Sequence, residues 1–288
     1  MKKTLIMMGG GLLVTSIAMA NYVTFIGQNN DPANPAGSLN VADNWDGGSL
    51  PSGSSTGLVS VTATVWPGVS WNDLAVRQTG GYVRALSNDF NMRGGTSGSG
   101  ITTIYEIEDA RTDYASYTNL YVATKLAFWS QYGESMELSL LSGHVAVSNL
   151  SLNASVGSIN VRDGIMQART LTTAVGTVNM LAGGAGEVVI DSQDASLGSF
   201  YLNFETGNMG SFTFGAKDGT NSASSSIKWL VTSGRVSIDG VADTDLASYS
   251  IVNNGLSSSI ALIPEPATLA LVGLLGAGIF TVRRFFSL

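Results

Sequence analysis

Four short segments of this chain open on a glycine and then alternate polar with apolar side chains. They are Gly133-Glu134-Ser135-Met136-Glu137-Leu138, Gly157-Ser158-Ile159-Asn160-Val161, Gly176-Thr177-Val178-Asn179-Met180 and Gly198-Ser199-Phe200-Tyr201-Leu202. Their glycines lie 24, 19 and 22 residues apart. Alternation with period two is the pattern of a strand that buries one face. A second glycine follows in each unit, at Gly143, Gly164, Gly183 and Gly207, and a further short strand follows the first two of these, as in Val145 and Val147. One such unit is too small to bury its own apolar face. Stacked units solve this, because each coil pairs its backbone with the next and extends a shared interior. The repeat therefore predicts an all-β body, a parallel β-helix (β-solenoid) with coils of about 20 residues. The clearer repeats fall in 131–215, and 21–130 reads as a less regular part of the same body.

Composition agrees with short strands and many turns: 12% of the residues are charged and 35 are glycine,. Of the 14 cations, Lys2, Lys3, Arg283 and Arg284 lie in the ends, as does Glu265 of the 21 carboxylates. Residues 21–263 thus carry ten cations against twenty carboxylates, a net charge of -10. That balance argues against nucleic acid as a partner, since phosphate binding needs clustered Lys and Arg. Cysteine is absent, which excludes disulfides and thiolate metal sites,.

The two ends have their own character. Lys2 and Lys3, an apolar stretch from Leu5 to Val14, and Ala18-Met19-Ala20 form the pattern of a signal peptide over residues 1–20, with cleavage between Ala20 and Asn21,. Signal peptidase is the implied processing partner. At the other end, Pro264-Glu265-Pro266 precedes an apolar run from Ala267 to Val282 and then Arg283 and Arg284. An apolar run of this length predicts one C-terminal transmembrane helix, just long enough for a thin bilayer. The arginines act as a stop signal and favour a cytoplasmic C-terminus, which leaves the body outside.

Tripeptide, apolar span and basic end in this order resemble the PEP-CTERM sorting signal of exported proteins in exopolysaccharide-producing Gram-negative bacteria. The resemblance implies that residues 264–288 are read and removed by an exosortase-like membrane enzyme. Asn44-Trp45-Asp46-Gly47-Gly48-Ser49-Leu50-Pro51 resembles the segment that opens exported β-helical proteins with autotransporter-type repeats. That likeness implies a right-handed helix, with Trp45 covering the open end of its first coil.

Candidate chemistry in the body is sparse. The single histidine, His144, follows a turn glycine and lacks visible partners for a triad or metal site,. Glu106, Glu108, Asp109 and Asp113 include carboxylates suited in type to glycoside chemistry. The alternation of Tyr105-Glu106-Ile107-Glu108 puts both glutamates on one strand face, most simply the wet one. Asn29, Asn30, Asp31, Asp43 and Asp46 offer oxygens to calcium but equally form Asx turns. Asn160 and Asn179 share a phase, which suits a stacked amide ladder as well as independent solvated side chains. The aromatic stretch supplies Tyr114, Tyr117, Tyr121 and Trp129 as candidates for stacking on sugar rings, and equally as core or a cap. No catalytic residue, metal or cofactor is assigned. The expectation is a non-enzymatic structural protein of the envelope or extracellular matrix, linked to polysaccharide. A polysaccharide-binding or polysaccharide-degrading β-helix, and an adhesin or ice-binding protein, are the alternatives.

Overall fold

The computed structural model describes residues 23–25, 75–79, 83–85, 90–93, 103–109, 118–129, 135–193, 197, 199–215 and 223–263. The signal-peptide and sorting segments, Trp45 and the proposed calcium ligands lie outside these residues. Among the described residues no helix is long and apolar enough to cross a membrane.

The body is a β-solenoid with three parallel faces. On the first face, β1 (Val23–Phe25), β2 (Ala75–Gln78), β5 (Thr103–Glu108) and β7 (Met136–Ser142) pair in succession. The ladder continues through the C-terminal part of β8 (His144–Val161), that of β9 (Ile165–Met180), then β11 (Ser199–Phe204) and β13 (Val236–Ile238). On the second face, β3 (Val83–Ala85), β6 (Leu120–Trp129) and the N-terminal parts of β8 and β9 stack onto β10 (Glu187–Gln193) and β12 (Ser211–Gly215). The third face joins β4 (Phe90–Arg93) to the C-terminal half of β6 and the middles of β8 and β9. Each coil thus runs through the second, third and first faces in turn, most regularly in 144–161, 165–180 and 187–204.

Every second side chain points inward, and register stacks like on like. On the first face Leu138, Ile159, Val178, Leu202 and Val236 form one buried row, and Leu140, Val161, Met180 and Phe204 another. On the second, Leu120, Val145, Met166, Val188 and Phe212 do the same. These rows carry the stabilisation, because each buried aliphatic side chain contributes about 1.5–3 kcal/mol.

The alternation expected from the sequence is present, but the alignment of units shifts. Only Gly157 and Gly176 fall opposite one another as the repeat predicted, since Ser158 pairs with Thr177. Met136, rather than Gly133, sits opposite Gly157. Leu202, rather than Phe200, sits opposite Val178. The outcome is that the row containing Gly157 and Gly176 receives Phe200 next, and two positions without side chains leave room for its ring.

The turn into the second face is also displaced. Gly143 and Gly164 stand there as expected, but the stacked corner continues through Gly186 and Gly210, not Gly183 and Gly207. Backbone bonds tie it together: Ile165 N to Gly143 O at 2.9 Å, Glu187 N to Gly164 O at 2.8 Å and Ser211 N to Gly186 O at 3.1 Å. At Gly164, φ is +96° and a Cβ would stand 2.2 Å from the Gly143 carbonyl oxygen, so no other residue fits,. Gly183 and Gly207 serve an extra outward turn in two late coils, joined by a bond from Gly183 N to Gly207 O at 3.3 Å. There the buried Asn208 donates to Leu181 O at 2.7 Å and accepts from Gly210 N at 2.9 Å.

The coil pattern stops at the C-terminal end. Helix α1 (Ala223–Thr232) buries Ile227, Leu230 and Val231 against β12, β15 (Tyr249–Asn253) and β16 (Ser257–Leu262). Composition gave no sign of a helix in a Ser-rich segment. Its apolar spacing of three and four residues is the one sequence signal for it. Strand β16 pairs antiparallel with β12 and with β15, while β14 (Val241–Ala242) pairs antiparallel with β13. The body assigned to 21–263 therefore ends in an antiparallel cap, which stops further parallel stacking.

Candidate functional site

Two polar arrangements stand out from the apolar rows. The first lies on the outer side of the first face, where Arg77, Glu106, Ser139, Asn160, Asn179, Asn203 and Ser237 occupy one register position in successive coils. Asn179 Nδ2 donates to Asn160 Oδ1 at 2.7 Å, and Asn160 Nδ2 to Ser139 Oγ at 3.2 Å. Of the two arrangements open to Asn160 and Asn179, the structure has the amide ladder. Strand spacing of about 4.8 Å suits this, because a side-chain amide can both donate and accept across it. At the ladder's C-terminal end Asn203 Oδ1 accepts from Ser237 Oγ and from Gly240 N, each at 2.8 Å. At the other end Arg77 pairs with Glu106.

The neighbouring outward row holds Glu137, Ser158, Thr177 and Tyr201. Tyr201 is 44% exposed, and the Arg235 guanidinium carbon lies 4.7 Å from its ring centre. The amides and hydroxyls of these two rows retain hydrogen-bonding capacity toward a polar ligand.

The second arrangement reaches inside. Tyr105 Oη donates to Gln78 Oε1 at 2.7 Å, and Gln78 Nε2 donates to Asn119 O at 3.0 Å. Asn119 sits at the same corner, one register position past the place that glycines take in later coils, with its side chain against Gly143. Its Nδ2 donates to Asp109 Oδ2 at 2.7 Å and its Oδ1 accepts from His144 N at 2.9 Å. Burial pushes the Tyr105 hydroxyl far above its usual range, so it stays protonated and donating,. These residues were not singled out together from the sequence, because polar side chains at inward positions break the periodic signal that finds a core.

The residues nominated from the sequence are dispersed. Glu106 and Glu108 do share one strand side, but Glu106 is buried and ion-paired with Arg77 rather than wet, because its neighbours in the ladder cover it. Asp109 joins the buried cluster, and Asp113 lies outside the described residues. His144 is half-buried at the start of β8, with Nδ1 3.4 Å from Thr118 Oγ1. Tyr121 is 36% exposed on the second face, Trp129 ends β6, and Tyr114 and Tyr117 lie outside the described residues. Among the described residues no group of three or more His, Asp or Glu is placed to hold a metal ion.

Parallel pairing on three faces around one interior, with an outward amide ladder and an antiparallel cap, defines a capped β-solenoid. The chain matches no known protein family, no curated protein and no solved structure.

Proposed function

We propose that this chain is an exported, non-enzymatic structural protein of the cell envelope or extracellular matrix, sorted through residues 264–288 and associated with exopolysaccharide. The reading includes right-handed coiling, removal of residues 1–20 by signal peptidase, and processing of a membrane-held precursor by an exosortase-like enzyme. One observation carries it. Among the described residues the last backbone bond of the cap, Ile263 N to Ser248 O at 3.0 Å, falls one residue before Pro264. A sorting tripeptide placed there can be cut without disturbing any described strand. Intact-mass measurement of the protein recovered from envelopes and medium tests the proposal. Loss of residues 1–20 and of those beyond Pro264-Glu265-Pro266 is expected, whereas a mature chain that keeps its full C-terminus in every fraction overturns the sorting step.

The exposed Tyr201 beside the amide ladder favours a glycan-binding variant of the same reading, at a place other than Tyr114, Tyr117, Tyr121 and Trp129. Exposed aromatic faces stack on apolar sugar faces while amides and hydroxyls take the sugar hydroxyls. Tyr201→Ala should lower retention of the folded protein on envelope polysaccharide severalfold in a pull-down; equal retention would remove this variant.

A further inference from the structure

The cap ends on an edge that lacks the usual protection. Among the described residues, strand β15 pairs with β16 on one side only and closes the strand order of the sheet. Asn254 N bonds Ser257 O at 3.1 Å, and Ile263 N bonds Ser248 O at 3.0 Å. Antiparallel ladders alternate, so the same register turns the N–H and C=O groups of Ser250 and Val252 toward β16. Those of Tyr249, Ile251 and Asn253 face the open edge.

Natural edges are blunted by charge, proline or a bulge. This one has none of these. Leu246 to Ile263 contains no charged residue and no proline, in a body whose net charge is -10. Apolar side chains stand out around it: Val252 is 60% exposed, Leu256 81% and Ile263 45%. Two copies of an acidic body repel one another over most of their surface, whereas the strand itself carries no charge and the carboxylate beside it, Asp243, is engaged by Ser248 at its start.

We propose that β15 is a self-association edge, at which two copies of this chain join cap to cap by antiparallel pairing of β15 with β15. A two-fold axis makes such an edge complementary to itself. In the register that places Ile251 opposite Ile251 of the second copy, Tyr249 faces Asn253, and all three outward-facing residues on each strand exchange backbone bonds. The two solenoids then share one continuous sheet, and the rod doubles in length. The strand is short, so the dimer forms in a concentration-dependent way.

The proposed register sets Ser250 opposite Val252 of the second copy as a non-hydrogen-bonded pair, with Cα atoms about 4.5 Å apart, inside the range of a disulfide. The chain has no cysteine, so engineered thiols report without background. Full-length Ser250→Cys and Val252→Cys chains are co-expressed and oxidised in intact envelopes, with the exposed mid-body Gln167→Cys as control. Co-expression should give a dimer band severalfold stronger than either single variant or the control. Ser250→Lys/Val252→Lys, which sets like charges opposite one another, should sediment as a monomer at concentrations where the parent chain is a dimer, with unchanged circular dichroism. A mixture that cross-links no better than Gln167→Cys, or a cross-linked product whose mass shows a different protein, overturns the proposal.

Discussion

At one end of the rod the interior holds Tyr105 and Gln78 in a hydrogen-bonded chain that runs to Asn119 and Asp109. At the other it holds Phe200, Phe204, Phe212 and Phe214. Phe212 and Phe214 meet edge to face with centroids 4.7 Å apart, and Phe200 lies within 6 Å of both. Both ends fill the same triangular cross-section. The aromatic end is held by area and volume, which survive a slip of two residues that keeps the same strand face inward. The polar end is held by paired donors and acceptors, which do not, because the same slip would leave buried polar atoms without partners. The contrast sets volume at one end against hydrogen-bond pairing at the other, where Tyr105 also packs edge-on against Phe90 with ring centroids 5.7 Å apart.

The largest effect should come from the aromatic end. Phe212→Ala leaves a cavity bounded by Phe200 and Phe214 and should cost about 3–5 kcal/mol in urea unfolding, whereas Phe212→Leu should cost less than about 1.5 kcal/mol. If both cost the same, volume is not what that end depends on. Asn119→Ala comes next, at about 1–3 kcal/mol, because it removes a donor from buried Asp109 and an acceptor from the His144 N–H,. Asn119→Gly should restore nothing, although glycine is the residue of the later corners, because the lost bonds belong to the side chain. Recovery in the glycine variant would show that corner geometry matters more than the network.

The smallest effect is acid-dependent and confined to the cap. The Thr206 hydroxyl and amide hold the Asp239 carboxyl below its ordinary value of 3.8, and bonds from Ser248 and from the Asp245 amide do the same for Asp243. A carboxylate with a depressed folded pKa stabilises the fold above its unfolded value, and that contribution disappears as pH falls through the folded one. The urea midpoint should therefore decline below about pH 4, and Thr206→Ala should flatten that decline slightly, since solvent screens these exposed groups. An unchanged profile would detach Asp239 from the cap's stability.

The sequence made the period-two strands and the shared phase of Asn160 and Asn179 legible, because both depend on local alternation. Register was less legible. Glycine marks both the stacked corner and the extra outward turn, so Gly183 and Gly207 carried the same signal as Gly186 and Gly210, and only backbone pairing separates them. Helix α1 escaped notice because its Ser and β-branched content speaks against a helix. Burial of Ile227, Leu230 and Val231 over the open coil outweighs that propensity,. The Tyr105 cluster escaped for a related reason, since polar residues at inward positions look like surface. The exposed Tyr201 was visible as an alternating residue, but only the ladder showed its proximity to Asn203 and Arg235.

The stacked corner bears on how such a rod is made. Successive coils pair residues 19 to 22 apart between β8 and β9, from Ser158 with Thr177 to Ser151 with Thr173, and 22 apart between β9 and β10, as in Ile165 with Glu187. Loop closure over such short spans costs nearly the same at every step, whatever the length already built. Contacts this local allow each coil to fold onto its predecessor as the chain is delivered from one end, with no need to wait for distant sequence. The antiparallel hairpin is the exception and also the final piece. A chain interrupted before it would expose a growing tip able to recruit the next strand it meets, so delivery of β16 and closure of that tip are the same event.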